Sequence, residues 1–217
     1  MALTTRQVAV IAVGGVCVLI STLAVLCRAL GRRITRTQWQ LNDYLMLLAY
    51  FFALGFVGTS IAMTTDNYVG AHVADIPSTD LAEVMVHNRQ NIIIACLLFT
   101  PCTVLVNLSI THFYTRIFPQ AWLVRTCKLL MVFYVFYELA AITTCFLLCR
   151  PLAGLWDPAI THAKCLDIRM FWTVGSAGCL GFDLTTLALP MPVLWGLRMP
   201  DWRKKVRLTV LFGLGVV

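Results

Sequence analysis

Gln7–Cys27 reads QVAVIAVGGVCVLISTLAVLC, a stretch without a single charged side chain. As a helix it is about 30 Å long at 1.5 Å rise per residue, the thickness of a bilayer's hydrocarbon core. Arg6 precedes it, and Arg28, Arg32, Arg33 and Arg36 follow it. A cleavable leader has a shorter apolar core and carries its positive charge in front. This segment has the opposite bias, so a retained transmembrane helix is expected.

The same pattern recurs along the chain. Tyr44–Thr65 is uncharged and entered through Asn42 and Asp43, a good helix-start pair. Asn91–Tyr114 holds no Asp, Glu, Lys or Arg, and Pro101 predicts a bend in it. Leu129–Cys149 is interrupted only by Glu138, and Met170–Leu197 only by Asp183, with a kink expected near Pro190 and Pro192. Leu208–Val217 opens a sixth apolar run that reaches only about 15 Å. The expectation is a chain cut short relative to a full bundle, or a last segment that does not insert. The predicted fold is all-α: one polytopic transmembrane helix bundle over residues 1–217, with five full spans (7–27, 44–65, 91–114, 129–149, 170–197) and a partial sixth (208–217).

Composition agrees. The chain is 59% hydrophobic and 12% charged with a mean hydropathy of +0.81, against roughly 25% charge in soluble domains. The net charge of +7 does not mark a nucleic-acid binder, because the cations sit in loops between apolar runs. Residues 28–40, 114–128 and 197–207 carry twelve Lys and Arg, and residues 1–6, 66–90 and 149–169 carry five. By the positive-inside rule the first set faces the cytoplasm and the N-terminus lies outside or in a lumen. Either the plasma membrane or an internal membrane fits. Five of the nine cysteines (Cys17, Cys96, Cys102, Cys145, Cys179) lie inside apolar runs, where Cys behaves as a small hydrophobe. Cys149 and Cys165 flank the loop between spans four and five on the expected outer face, where a disulfide is permitted; two free thiols are the alternative.

Chemistry is concentrated inside the spans. A carboxylate there costs a few kcal/mol and normally faces the bundle interior, so Asp183 and Glu138 are the sharpest features. Ser176, Cys179, Asp183 and Thr186 share one helix face, as do Thr100, Thr103, Asn107 and Thr111. One polar seam between the third, fourth and fifth spans is expected. It reads either as a ligand or proton site, or as interhelical hydrogen bonds that only hold helices together. His72, Asp75, Asp80, Glu83 and His87 gather in the loop before the third span. None has the tight spacing of a metal site, so no metal is expected. Asn107-Leu108-Ser109 matches a glycosylation sequon but falls within a span. Arg203, Lys204, Lys205 and Arg207 join Arg32, Arg33 and Arg36 in a cytoplasmic basic face suited to anionic headgroups; an effector contact is the alternative. No nucleophile–base pair, phosphate loop or metal set is readable, so no catalytic residue and no reaction can be named.

From Arg32 to Pro200 several motifs follow one another: Arg32-Arg33-Ile34-Thr35-Arg36 into Asp43-Tyr44-Leu45, His72 after Gly70, Ser109, Phe113-Tyr114, and Arg116-Ile117-Phe118-Pro119. Cys149-Arg150-Pro151, Trp156, Cys165, Asp183 and Leu189-Pro190-Met191-Pro192 complete the set. In this order they resemble the fungal rhodopsin-like integral membrane family, whose relatives include appressorium receptor-like seven-helix proteins and a satratoxin-cluster membrane protein. The family carries Asp-Asp where this chain has Asn42-Asp43, Lys where it has Asn107, and Asn where it has Cys179. The resemblance implies a receptor-like or sensor protein with an unidentified ligand and effector. The alternative it leaves open is an accessory membrane protein or enzyme of a secondary-metabolite cluster. The lipid bilayer is the expected partner, with a lipophilic small molecule as the candidate ligand and no nucleic acid. The family's name suggests retinal, but a Schiff base needs a lysine in the bundle core. Lys128, Lys164, Lys204 and Lys205 all fall outside the five predicted spans, so no retinal and no other cofactor is expected.

Overall fold

The computed structural model describes residues 4–65, 81–157, 160 and 162–196. Five long helices dominate: α1 (Thr5–Ile34), α2 (Leu41–Thr65), α3 (Leu81–Ile117), α4 (Ala121–Phe146) and α5 (Ile168–Ala188). A small two-stranded hairpin, β1 (Cys149–Arg150) with β2 (Lys164–Cys165), lies between α4 and α5, and a short α6 (Met191–Gly196) ends the described chain. Among the described residues, five helical segments are long and apolar enough to cross a membrane. Large apolar side chains such as Leu19, Phe51, Phe136 and Leu180 stand exposed on their outer faces. That is the arrangement lipid requires, with every backbone group bonded inside its own helix.

Each helix begins before the span read from charge alone, because helical hydrogen bonding continues into the polar flanks. α1 runs on to Ile34, α3 begins at Leu81, and α4 begins at Ala121 rather than Leu129. Lys128 therefore belongs to α4, where its side chain is exposed. Cys149 belongs to a strand, not to the fourth span. The fifth span does not run unbroken to Leu197. The α-helix ends at Ala188, a turn carries Leu189 and Pro190, and α6 restarts at Met191, since a proline withholds the amide hydrogen that continuation needs. Pro101, by contrast, sits inside the continuous α3. Residues 208–217, the Arg203–Arg207 cluster, and His72, Asp75 and Asp80 lie outside the described residues.

Helix α3 is the centre of the bundle. It packs against α2, α4 and α5, while α1 packs on α2. Close approach is bought with small residues: a Cβ on Gly55 of α2 would stand 3.3 Å from Leu98 of α3. Polar groups stitch the ends. Gln7 completes a capping box with Thr4 and donates from Nε2 to the Thr64 carbonyl at 2.9 Å, tying the start of α1 to the end of α2. At the opposite end Ser109 of α3 donates to the carbonyl of Asn42 at 2.8 Å. There Tyr114, Phe118, Leu123 and Cys127 form a buried cluster completed by Val193 of α6. The turn at Pro190 is what brings α6 back under α3 and α4.

Two of the arginines that follow the first span have a further role. Asp43, with a side chain only 2% exposed, receives Arg28 Nε at 2.7 Å and Arg32 Nε at 3.0 Å. The Gln40 amide donates to the same carboxylate at 2.9 Å. Arg33 and Arg36 remain exposed. The cluster clamps the α1–α2 corner, and removing its buried anion would leave two partly exposed cations side by side without their shared partner. Asp43→Ala is expected to lower stability by about 2–3 kcal/mol, and Arg28→Gln by less because Arg32 remains. Thermal unfolding in mild detergent reads both; equal and negligible losses would refute the clamp.

Candidate functional site

The backbones of α4 and α5 do not pack closely on one another; aromatic side chains fill the space between them. Phe182 of α5 lies edge-on to Tyr134 and to Tyr137 of α4, with both ring centroids at 4.9 Å. The Tyr137 hydroxyl donates to the Gly175 carbonyl at 2.7 Å. Its ring rests on the bare backbone of Gly178, where an added Cβ would come within 2.6 Å of the hydroxyl oxygen.

Beside this aromatic column runs a groove of about 330 Å³. Its floor is Cys96, Phe99 and Thr100 of α3, one wall is Tyr137, Ala141 and Thr144 of α4, and the other is Phe171, Val174 and Cys179 of α5. Met170 and Val174 at its rim are exposed. The lining is mostly apolar, with a few hydroxyl and thiol groups and one carboxylate residue, Asp167.

Next to the groove, side chains of α3, α4 and α5 form a continuous hydrogen-bonded chain. The Tyr134 hydroxyl donates to Thr186 Oγ1 (2.7 Å), which donates to Asn107 Oδ1 (2.7 Å). Asn107 Nδ2 donates onward to Asp183 Oδ1 at 2.7 Å and to the Thr103 carbonyl at 3.0 Å. One asparagine on α3 thus fastens two residues of α5 and, through Thr186, a tyrosine of α4. Glu138 is bonded separately, its Oε1 accepting from Thr100 Oγ1 at 3.3 Å, while its buried Oε2 has no partner among the described residues. Between the two sets stands Cys179, whose Sγ lies 3.9 Å from both Thr103 Oγ1 and the Tyr137 hydroxyl.

The single seam expected from the sequence is therefore two polar nodes joined by a buried cysteine. Asp183 does not face a closed interior: it is exposed on α5, and one oxygen is held by Asn107. Ser176 is exposed as well and lines the groove. Asn107, read also as part of a sequon, spends its amide on this network. Glu83 and His87 are one turn apart on α3, His87 Nδ1 lying 3.0 Å from the Glu83 carbonyl oxygen. Among the described residues no cluster of metal ligands occurs. Tyr134, Tyr137 and Phe182 were not singled out in the sequence. Their signal was faint: two tyrosines three residues apart in an otherwise greasy span.

Cys149 and Cys165 form a disulfide and are directly opposite one another in the hairpin. Leu148, Cys149 and Leu155 make a small core there with Ile93 and Phe171, and Arg89 Nη1 of α3 donates to the Leu155 carbonyl at 2.9 Å. The hairpin so caps the end of the bundle where α1 starts and α2 ends.

Comparison with known proteins supplies the family. The fungal rhodopsin domain matches residues 27–217. The chain belongs to the fungal rhodopsin family. Members similar to it include fugralins biosynthesis cluster protein 2 of Gibberella zeae, 26% identical over 93% of this chain and 50% of the relative. Another is the polyenoic acids biosynthesis gene cluster protein Ba17b of Metarhizium anisopliae, 26% identical over 89% of this chain and 53% of the relative. A third is a SAT4 family membrane protein of Emericella nidulans, 30% identical over 68% of this chain and 38% of the relative. This fungal rhodopsin chain spans about half the length, or less, of these relatives. No solved structure matches it.

The Tyr134–Thr186–Asn107 relay makes a quantitative prediction. Tyr134→Phe removes the first link and Thr186→Val removes both, so the double variant should lose less than the sum of the singles. A coupling of about 0.6 kcal/mol is typical for hydrogen bonds between membrane helices, and a double-mutant cycle on unfolding in detergent measures it. Strict additivity would mean that the two hydroxyls do not interact.

Proposed function

We propose that this chain is a receptor-like membrane protein that takes a lipophilic small molecule from the bilayer into the groove between α4 and α5. The observation that carries the reading is the groove itself: apolar, rimmed by exposed side chains, and floored by groups that touch the hydrogen-bonded nodes. Ligand sites are concave, mostly apolar, and supplied with a few convergent polar groups. A molecule seated there would press on Tyr137, and hence on Phe182 and Tyr134. It would thereby bias the separation of α4 and α5 against the Asn107 bonds that hold α5 to α3. A ligand shifts such an equilibrium only by its differential affinity for the two arrangements, and displacement of the aromatic column supplies that difference. The reading invokes no retinal, in line with the expectation from the sequence that no predicted span holds a lysine.

A second reading, an accessory protein or enzyme of secondary metabolism, is favoured by the names of two relatives, both biosynthesis cluster proteins. It uses the same groove for a lipophilic intermediate. Metabolite profiles that change when the gene is deleted favour this reading, and an unchanged profile with an altered response to an added lipophilic compound favours the receptor.

The proposed orientation puts the N-terminus and the hairpin on the outer or lumenal side. The excess of Lys and Arg in the opposite loops supports it, as does the Cys149–Cys165 disulfide at the N-terminal end of α1. With the chain expressed at the cell surface, a membrane-impermeant maleimide should label Ala2→Cys in intact cells and Thr37→Cys only after lysis; the reverse pattern would invert the topology.

Occupancy of the groove is tested by filling it. Ala141→Trp should weaken saturable binding of a lipophilic fluorescent probe in lipid discs by tenfold or more. Ala177→Trp, on the exposed face of α5, should leave binding unchanged. Equal binding by both variants would refute the site.

A further inference from the structure

The hairpin contains an electrostatic anomaly. Arg150 and Lys164 are register partners across β1 and β2, so their side chains leave the same face about 5 Å apart. Like charges directly opposite destabilise a strand pair. The neighbouring Cys149–Cys165 disulfide fixes the register, so the two cations cannot slip apart. Both are exposed, and among the described residues the ion pairs are those of Arg28 and Arg32 with Asp43, none involving Arg150 or Lys164. Asp167, at the start of α5, also lines the groove; its Oδ1 caps the helix, accepting from the Arg169 amide at 2.9 Å and the Met170 amide at 3.4 Å.

The paired cations open onto a recess of about 420 Å³ whose walls include Thr144 and Leu166. The same two residues also line the apolar groove. An anion-attracting recess at the end of the bundle is thus contiguous with an apolar slot running between α4 and α5. The slot's volume of about 330 Å³ is at the small end of ligand pockets, about 300–1,000 Å³, which suits one chain rather than two.

We propose that the occupant of the groove is a single-chain lipophilic carboxylic acid, its hydrocarbon between α4 and α5 and its carboxylate between Arg150 and Lys164. This deepens, and rests on, the reading that the groove binds a lipophilic molecule. The carboxylate relieves the repulsion between the two cations, and the Arg150 guanidinium offers it two parallel donors. The chain is buried without any polar group being stranded in lipid.

The test uses the full chain in discs of zwitterionic lipid with two probes, octadecatetraenoic acid, whose conjugated double bonds accept energy from tryptophan, and its methyl ester. Trp172 lines the groove, so bound probe should quench it saturably, and Trp172→Phe should remove that component. The acid is expected to bind at least tenfold more tightly than the ester. Lys164→Glu should cost the acid tenfold or more and leave the ester unchanged. Because Lys164→Glu sets opposite charges across the strands, it favours the hairpin, and loss of binding in it cannot be ascribed to unfolding. Equal binding of acid and ester, unaltered by Lys164→Glu, would overturn the carboxylate assignment while leaving the groove reading intact. Absence of saturable binding by either probe would overturn both. Displacement of the acid by phosphatidic acid added to the discs would overturn the single-chain assignment in favour of an anionic phospholipid.

Discussion

A peptide group in hydrocarbon has no water to bond, and every one left unpaired costs several kcal/mol. That constraint makes helices of the five apolar segments and leaves the association of those helices to be settled by other means. Lipid tails are as apolar as leucine, so burying leucine against leucine brings little advantage. What remains is close packing, where Gly55 admits Leu98 and Gly178 admits Tyr137, and polar groups that find partners only in one another. The Arg28–Asp43–Arg32 cluster, the Gln7–Thr64 bond and the Asn107 relay are the places where this second kind of force is concentrated.

These bonds are unevenly distributed, and the distribution has a functional meaning. α1 and α2 are joined at both ends by short polar contacts, and α3 is joined to α2 at one end by Ser109 and along its length by close packing. α5 is held to α3 mainly through one asparagine and to α4 through aromatic edges and two tyrosine hydroxyls. The groove opens along this weaker seam. In the proposed reading, a site that admits a molecule from the membrane is better placed between elements whose separation can change by small free energies than within a tightly packed triad. The hairpin above the groove is the opposite case, covalently fixed and backed by its own small core, so that its two cations keep their position whatever happens below.

The carboxylates show how environment, not residue type, sets a role. Asp43 is buried and saturated with donors, which suits a structural clamp. Asp183 is exposed with one oxygen held, and Glu138 has a buried oxygen without a partner among the described residues. The last two are the groups a polar ligand atom or a proton could engage.

Much of this was legible in the chain before any coordinates. Uncharged runs of bilayer length dictate spanning helices, because the backbone has no alternative in lipid, and the periodic placement of Thr103, Asn107, Cys179, Asp183 and Thr186 put polar groups on facing stripes. Helix ends were less legible, since α4 takes in Arg125 and Lys128 and α5 stops at a proline turn for local reasons that hydropathy averages away. Apart from the Cys149–Cys165 bridge, the pairings were not legible. That Asp43 meets Arg28 and Arg32, that Tyr134 reaches Thr186, and that Arg150 faces Lys164 depends on how far helices rotate and which strand register closes. Those are decided by three-dimensional packing among residues far apart in sequence, where a shift of one position would send every side chain elsewhere.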